Sequence, residues 1–279
     1  MSLSTDVPLG AVKDDYYTNG IRVERYAHPH SQRSVPVICV HGGGQASWSW
    51  EDFAPILQDH GFEVHAINWR GRNGSDAVAP EHFLHASIAD VVKDISAVAG
   101  RFESPPVLIG HSMGGMACQL YAQDFPVSAL ILLTPVVPSQ VEATVIELPV
   151  DSTVPWGPLP FEAARELFFQ GLDDEQCHYF YPKLVPESPL RIVEATRWTL
   201  PVKIEQIDMP TLIVSGALDV LTPPATGERL AELYGAEYRL ETDLGHNVTL
   251  GQRGKDVAQS LVGWLRMHTL NPCGDTREG

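Results

Sequence analysis

A serine stands between two glycines in the motif Gly110-x-Ser112-x-Gly114, directly after an apolar run at residues 107–109. This pattern predicts a strand, a sharp turn and a helix, with Ser112 at the apex of the turn. Such a turn strains the backbone of its apex residue and crowds the positions two residues away, where glycine removes the colliding side chains. The serine oxygen would then be open to a substrate, and the backbone N–H of Met113 would point into the same space. The chemistry predicted here is nucleophilic attack by the Ser112 hydroxyl.

The partners that such a serine requires are a base and an acid. A serine hydroxyl is a poor nucleophile at neutral pH, so it needs a base within hydrogen-bond reach and a third group that holds the base in one tautomer. His246 and Asp219 are the candidates, because each follows a predicted strand and would lie at the same edge of the sheet as Ser112. Asp243 is the alternative acid, although it lies three residues before His246 in the same loop. A turn or helix-cap role also stays open for Asp219.

The composition of the chain favours a globular α/β domain and argues against nucleic-acid and membrane partners. The chain has 279 residues, of which 44% are hydrophobic, so it can bury a large core as one α/β domain with an insertion. Its formal net charge of −16 argues against a nucleic acid or an anionic membrane surface as partner, because both select basic patches. The amino terminus lacks the features of a signal peptide, and no apolar stretch approaches the roughly 18 residues of a membrane span. A cytoplasmic location and no membrane partner are therefore expected.

Spacing of the cysteines and glycines predicts no metal and no cofactor. The four cysteines follow neither metal-ligand nor disulfide-framework spacing, which predicts free thiols in a reducing compartment. The glycines at residues 42–44 lack both the lysine of a phosphate-binding loop and the spacing of a dinucleotide fingerprint. The cysteines are Cys39, Cys118, Cys177 and Cys273.

Apolar runs and helical periodicities alternate along most of the chain, which predicts a mostly parallel sheet covered by helices on both faces. Two β-prone arms around Asn19-Gly20 predict a hairpin at the antiparallel edge of this sheet, over residues 16–26. Further strands are predicted at residues 35–40, 62–69, 107–109, 128–134, 211–216 and 237–241, and helices at residues 50–60, 87–101, 113–125, 223–234 and 255–267.

The alternation stops between residues 135 and 207, where prolines recur and no buried strand is predicted. Helical patches at residues 161–169, 173–179 and 190–198 predict an inserted helical cap. The predicted domains are a core at residues 1–135 and 206–272, a cap or lid at residues 136–205 and a disordered tail at residues 273–279.

Aromatic residues are concentrated in this cap and near the glycine loop, and they could line an apolar acyl or alcohol pocket. The competing interpretation is that most of them form the small core of the cap itself. The residues predicted to bind substrate are Trp48, Trp156, Phe161 and Trp198.

Taken together, these motifs resemble the α/β-hydrolase superfamily, in its serine-nucleophile branch that carries a helical cap. The resemblance implies an eight-stranded sheet, a cofactor-free catalytic triad and an oxyanion hole formed by the N–H groups of Gly43 and Met113, with Gly44 as a substitute for Gly43. One departure lies at residues 68–75, where related proteins often carry an Asp-x-x-Gly-x-Gly-x-Ser stretch that braces the floor of the site. The motifs are Gly110-His111-Ser112-Met113-Gly114, His41-Gly42-Gly43, and the chain order Ser112, Asp219, His246.

The reaction that the resemblance implies is hydrolysis of a small to medium apolar carboxylic ester or lactone through an acyl-enzyme on Ser112. A serine at this position argues against dehalogenation and epoxide hydrolysis, which the superfamily performs with an aspartate. Hydrolysis of carbon–carbon bonds, elimination, perhydrolysis and ligand sensing stay open, because a fold alone does not separate them.

Overall fold

The strands of the computed structural model, which describes residues 12–27 and 35–269, form one eight-stranded sheet in the order β1-β2-β4-β3-β5-β6-β7-β8. In this order, neighbouring strands from β4 to β8 are parallel. At the other edge, β1 pairs antiparallel with β2, and β2 pairs antiparallel with β4. The predicted eight-stranded, mostly parallel sheet is therefore confirmed. The strands are β1 (Val12–Thr18), β2 (Ile21–Ala27), β3 (Val37–Val40), β4 (Val64–Ile67), β5 (Val107–His111), β6 (Ala129–Leu133), β7 (Thr211–Gly216) and β8 (Glu237–Glu241).

The predicted hairpin is present between β1 and β2. Asn19 and Gly20 both have positive φ, 46° and 86°, as a tight two-residue turn between antiparallel strands requires. The predictions for Cys273 and for the tail at residues 273–279 lie outside the described residues.

Helices cover both faces of the sheet. The central strands β3, β4, β5 and β6 are buried along their whole length, as expected for strands enclosed on two sides. Among the described residues, no helix is long and apolar enough to cross a lipid bilayer. The helices are α1 (Ala54–Asp59), α2 (Pro80–Phe83), α3 (Val91–Ala99), α4 (Met113–Ala122), α5 (Phe161–Phe168), α6 (Asp174–Phe180), α7 (Pro189–Arg197), α8 (Pro224–Tyr234) and α9 (Gly251–Thr269).

Three predicted helix starts require correction. The helix predicted from residue 255 is α9, which begins at Gly251. The helix predicted from residue 50 is a 3-10 turn over Ser47–Trp50 followed by α1, which carries a proline in its first turn. The helix predicted from residue 87 begins as a 3-10 turn, because Ser87 caps it through its side chain and α3 follows only afterwards. Helical periodicity does not distinguish these turns from a continuous helix.

The segment between β6 and β7 contains α5, α6 and α7 and a single isolated β-bridge, between Trp156 and Glu187. Its residues Phe169, Cys177 and Phe180 bury their side chains in a small apolar cluster separate from the two clusters on the faces of the sheet. These three helices coincide with the helical patches predicted at residues 161–169, 173–179 and 190–198, while the assignment of residues 136–205 as a separate helical cap stays a prediction.

Candidate active site

The backbone of Ser112 has an unusual conformation. Its φ of 53° and ψ of −121° join β5 directly to α4, and a non-glycine residue rarely adopts a positive φ. Such a conformation costs about 1–3 kcal/mol and persists only where the surrounding structure enforces it. Ser112 is therefore held at the apex of a strand-to-helix turn, as the sequence predicts.

The two flanking glycines leave room for this turn. A Cβ added to Gly110 would lie 2.6 Å from the carbonyl oxygen of Gly114 and 2.8 Å from the sulfur of Cys118. A Cβ added to Gly114 would collide with the backbone carbonyl oxygens of Val40 and His41. Neither position has space for a side chain.

Replacing Gly114 with alanine is expected to destabilise the fold by at least about 3 kcal/mol, since the colliding atoms belong to the backbone of a buried strand end. Gly263 provides the control, because it is exposed on α9 and an added Cβ would meet nothing within 4 Å. Gly263→Ala should stabilise the protein by about 1 kcal/mol through helix propensity. Urea unfolding of both variants checks this pair, and equal midpoints would contradict the steric explanation.

Ser112, His246 and Asp219 are joined by hydrogen bonds. The Oγ of Ser112 lies 2.8 Å from Nε2 of His246, and Nδ1 of the same ring lies 2.9 Å from Oδ2 of Asp219. All three residues are buried, at 7%, 4% and 4% exposure. Asp243, the alternative acid, instead pairs with Arg253 at the surface. The structure thus brings together the three residues singled out from the sequence, in the order hydroxyl, imidazole, carboxylate.

Asp219 also organises its own turn. Its Oδ1 accepts the backbone N–H groups of Leu221 and Thr222 at 2.8 and 2.9 Å, and the Thr222 hydroxyl donates to Oδ2 at 2.6 Å. Burial raises the pKa of the Asp219 carboxyl, but His246 and the donors of Thr222 outweigh it and lower that pKa below its usual value. The turn role and the imidazole contact are therefore compatible, because Oδ1 accepts the two backbone N–H groups of the turn while Oδ2 contacts the imidazole and accepts the Thr222 hydroxyl.

The backbone carbonyl group of His246 is bound by two side chains below the active site. The carbonyl oxygen of His246 accepts the Thr134 hydroxyl at 2.7 Å and lies 2.9 Å from Nε2 of His111. Burial, together with the neighbouring His246, lowers the pKa of His111 to about 3, so its ring is neutral at physiological pH. Thr134 and His111 thereby fix the position of the loop that carries His246.

His41 stabilises the glycine loop that follows β3. Its Nδ1 donates to the carbonyl oxygen of Gly42 at 2.8 Å, and its ring stacks on Trp69 with centroids 4.3 Å apart. Burial lowers the pKa of His41 to about 3. The ring is accordingly a neutral group that holds the glycine loop in place.

The N–H groups of Gly43 and Met113 lie at the same end of the sheet. A Cβ added to Gly43 would lie 2.5 Å from the sulfur of Met113, which places the two residues side by side. Within residues 12–27 and 35–269, neither N–H donates a hydrogen bond. Gly44 differs, because its N–H donates to Oε2 of Glu187 at 2.9 Å. Gly44 is therefore a poor substitute for Gly43 as a donor to a substrate.

A buried ionic cluster that sequence reasoning missed lies behind this loop. Glu187 is 1% exposed, and Arg72 and Arg191 contact its carboxylate at 2.6 and 3.2 Å. Burial alone would raise the pKa of Glu187, but the two guanidinium groups and the N–H groups of Gly44 and Ser188 lower it to about 2. Glu187 is thus an ionised carboxylate in the interior, and Arg72 belongs to the 68–75 loop in which the sequence departs from its relatives.

A cleft that is partly open to solvent lies above Ser112, His246 and Met113. Its walls are mainly apolar and come largely from the segment between β6 and β7. Its apolar side chains include Leu148, Trp156, Leu159, Phe168, Ile192 and Leu221.

Of the four aromatic residues predicted to bind substrate, only Trp156 lines this cleft. Trp48 stacks on Phe180 with centroids 5.9 Å apart, and Phe161 packs edge-on against Tyr181. Trp198 is 4% exposed, and its indole N–H donates to the carbonyl oxygen of Thr144 at 2.9 Å. The assignment of Trp48, Phe161 and Trp198 to the pocket is corrected accordingly, because these side chains are used for packing.

Comparison with known proteins finds relatives that match part of this chain and solved structures of similar fold. The chain is 30% identical over 105 residues to a pyrethroid hydrolase of Sphingobium wenxiniae, covering 36% of this chain and 35% of that protein. It is 33% identical over 81 residues to protein phosphatase methylesterase 1 of Homo sapiens, covering 28% of this chain and 21% of that protein. The matches thus span about a third or less of these relatives' own length.

The solved structure of a methylesterase protein from Arabidopsis has a similar fold, with a TM-score of 0.68 at 18% identity. The match covers 84% of this chain and 99% of that one. The sequence profile of the alpha/beta hydrolase family matches residues 37–260, which include Ser112, Asp219 and His246. Because this match extends over most of the sequence, the chain belongs to the alpha/beta hydrolase family.

Proposed function

We propose that this chain hydrolyses a small to medium apolar carboxylic ester or lactone through an acyl-enzyme on Ser112. The observation that carries the proposal is the continuous hydrogen-bonded array from the Ser112 hydroxyl through His246 to Asp219 at the base of a cleft. In such an array the imidazole removes the proton that makes a serine hydroxyl unreactive.

The first half of the reaction forms the acyl-enzyme. The Oγ of Ser112 bonds to the carbonyl carbon of the ester while its proton passes to Nε2 of His246, and Asp219 stabilises the imidazolium. The developing oxyanion accepts hydrogen bonds from the N–H groups of Gly43 and Met113. The bond from the carbonyl carbon to the alcohol oxygen then breaks, and His246 returns its proton to that oxygen.

The second half releases the acid. A water molecule attacks the acyl carbon while His246 takes its proton, and the bond to Ser112 Oγ breaks as the proton moves back to that oxygen. The two backbone donors would contribute a large part of the rate enhancement, because losing one oxyanion donor typically lowers kcat by about 10²–10³-fold.

Two observations support an ester with an apolar group as substrate. The cleft walls are mainly apolar. An apolar acyl or alcohol chain would therefore bind there favourably, because its surface leaves water for an apolar site. The two partial relatives are named as a pyrethroid hydrolase and a protein phosphatase methylesterase, and the second name is that of an ester hydrolase.

Hydrolysis of p-nitrophenyl acetate, butyrate and octanoate by the purified protein tests the proposal. We expect steady turnover of all three esters, with a dependence on chain length, and a burst of p-nitrophenol if deacylation is slower than acylation. Absence of turnover with every ester and with a small lactone would contradict ester hydrolysis and would favour elimination or ligand sensing by the same residues.

Trp156→Ala is expected to change the preference for chain length. Its side chain forms part of the apolar wall, so removing it should lower kcat/KM for the octanoate about 10-fold while leaving the acetate within about threefold. Trp48→Ala is the matched control, because Trp48 lies outside the cleft. This substitution should not lower kcat/KM for the octanoate more than kcat/KM for the acetate. Equal effects of the two substitutions on octanoate and acetate would contradict the placement of the acyl chain beside Trp156.

A further inference from the structure

Gly44, the residue after the proposed oxyanion donor Gly43, is held on both sides by one short segment. Its N–H donates to Oε2 of Glu187 at 2.9 Å, and its carbonyl oxygen accepts the backbone N–H of Val185 at 2.9 Å. The φ of Gly44 is 67°, in the left-handed region that glycine adopts readily. Residues 185 and 187 thus determine the orientation of the peptide groups at this end of the loop.

Three further groups contact the carboxylate of Glu187 and restrict its rotation away from Gly44. Oε1 accepts the N–H of Ser188 at 2.8 Å and lies 3.2 Å from a guanidinium nitrogen of Arg191, while Oε2 lies 2.6 Å from Arg72. The Arg72 guanidinium also donates to the carbonyl oxygen of Pro186 at 2.6 Å. The acceptor that faces Gly44 is therefore rigid as well as charged.

The main chain of Glu187 also reaches the wall of the cleft. It exchanges two hydrogen bonds with Trp156, at 2.8 and 2.9 Å, so this residue joins the apolar wall to the glycine loop. Charge-assisted hydrogen bonds to a carboxylate are about twice as strong as neutral ones. Loss of the carboxylate would leave Gly44 with only the hydrogen bond from Val185 and would loosen the peptide that follows the N–H of Gly43.

We infer that Glu187 is a positioning residue for the oxyanion hole, acting through Gly44 on the N–H of Gly43. This inference rests on the proposed function, since it assigns Glu187 a part in the same reaction. Glu187 does not touch the reacting atoms in this assignment. It fixes the direction of a donor whose whole contribution is typically about 10²–10³ in kcat.

Two isosteric substitutions distinguish a role of Glu187 in positioning Gly44 from a role in the stability of the fold as part of a buried ion pair. Glu187→Gln and Glu187→Met both remove the negative charge at nearly constant volume, but only glutamine keeps an oxygen that can accept the Gly44 N–H. Asp94→Asn is the control for structure alone. Asp94 is also buried and accepts the backbone N–H of Arg70 at 3.0 Å, but its ion pair lies with Arg70 and does not touch Gly43 or Gly44.

Steady-state hydrolysis of p-nitrophenyl butyrate and thermal unfolding are measured for the full-length wild type and the three variants. We expect Glu187→Met to lower kcat about 10- to 100-fold with KM within about threefold, because the donor acts mainly in the transition state. Glu187→Gln should lose less than Glu187→Met at a similar Tm, and Asp94→Asn should keep the wild-type kcat. A kcat of Glu187→Met equal to that of Glu187→Gln would overturn the inference.

A trifluoromethyl ketone supplies a spectroscopic measurement that stability alone does not move. Its carbonyl carbon bonds to the serine oxygen while the serine proton passes by way of His246 to the ketone oxygen, which gives a hemiketal hydroxyl in the oxyanion hole. ¹⁹F NMR then reports the pKa of that hydroxyl, and a weakened hole should raise it by about one unit in Glu187→Met, which corresponds to a tenfold loss of stabilisation. An unchanged hemiketal pKa would also overturn the inference.

If the proposed function itself were wrong, the result would differ from failure of this inference, because the wild type would then give neither turnover nor a hemiketal.

A second pair of variants is measured if the single variants do not fold. The glutamine and methionine substitutions are then each combined with Arg191→Met, which restores the single net positive charge of the wild-type cluster. The same difference between glutamine and methionine is expected there, and its absence would count against positioning.

Discussion

Replacement of Ser112 by alanine is expected to lower kcat for p-nitrophenyl butyrate by about 10⁴- to 10⁶-fold. The residual rate would come from substrate binding and from the backbone donors of Gly43 and Met113, which the substitution leaves in place. KM should change little, because the hydroxyl acts on the transition state. The positive φ of 53° at residue 112 is tolerated no worse by alanine than by serine, so the fold should remain intact.

Ser139→Ala is the control for this experiment. Among residues 12–27 and 35–269, the Ser139 hydroxyl makes only a long contact of 3.5 Å with Gln140, and Ser139 does not line the cleft, so the wild-type rate is expected. Retention of more than about a tenth of the wild-type kcat by a folded Ser112→Ala variant would contradict the assignment of the nucleophile.

Asp219→Asn is expected to lower kcat by about 10⁴-fold while preserving the shape of the site. The asparagine oxygen can still accept the N–H groups of Leu221 and Thr222, so the turn should survive. Its amide hydrogens, however, would face Nδ1 of His246 and favour the tautomer that cannot accept the serine proton. The loss should therefore be found in kcat at saturating ester, with a Tm close to that of the wild type.

Asp243→Asn tests whether the other nearby acid contributes. Asp243 pairs with Arg253 at the surface, and removing its charge should leave kcat within about twofold of the wild type. If Asp243→Asn were the more damaging of the two substitutions, the acid assigned behind the imidazole would be wrong.

Those parts of the site that depend on local geometry could be predicted from the sequence. The turn at Ser112 requires glycines at fixed positions on both sides, and this requirement is visible in the residues themselves. The placement of Asp219 and His246 followed from a property of parallel sheets, whose strands carry their functional loops at one edge. The hairpin at Asn19-Gly20 was equally local, because the pair tolerates positive φ at both positions.

Contacts between distant segments could not be predicted. Glu187 reaches Gly44 across 143 positions of the chain, and nothing in the surrounding residues indicates that its carboxylate is buried and paired with two arginines. The departure at residues 68–75 becomes interpretable only in this context, because Arg72 of that loop is one of the two partners. Sequence reasoning saw the altered loop but not the residue that it contacts.

The aromatic residues show a related limit. Phe161 and Trp198 lie in the segment between β6 and β7 and Trp48 packs against it, but composition does not give the direction of a side chain. Trp198 has a positive φ of 53° at the end of α7, and its indole is buried under the segment that contains Thr144. Burial of large apolar side chains stabilises a small helical segment whether or not a ligand is present.

Intact mass spectrometry after reaction with a fluorophosphonate tests the central claim most directly. The wild-type protein is expected to gain the mass of one phosphonyl group, located on Ser112 by peptide mapping, and Ser139→Ala should do the same. Ser112→Ala should gain none. A single adduct on another residue, or an unmodified wild-type protein under conditions that label a known serine hydrolase, would contradict Ser112 as the nucleophile.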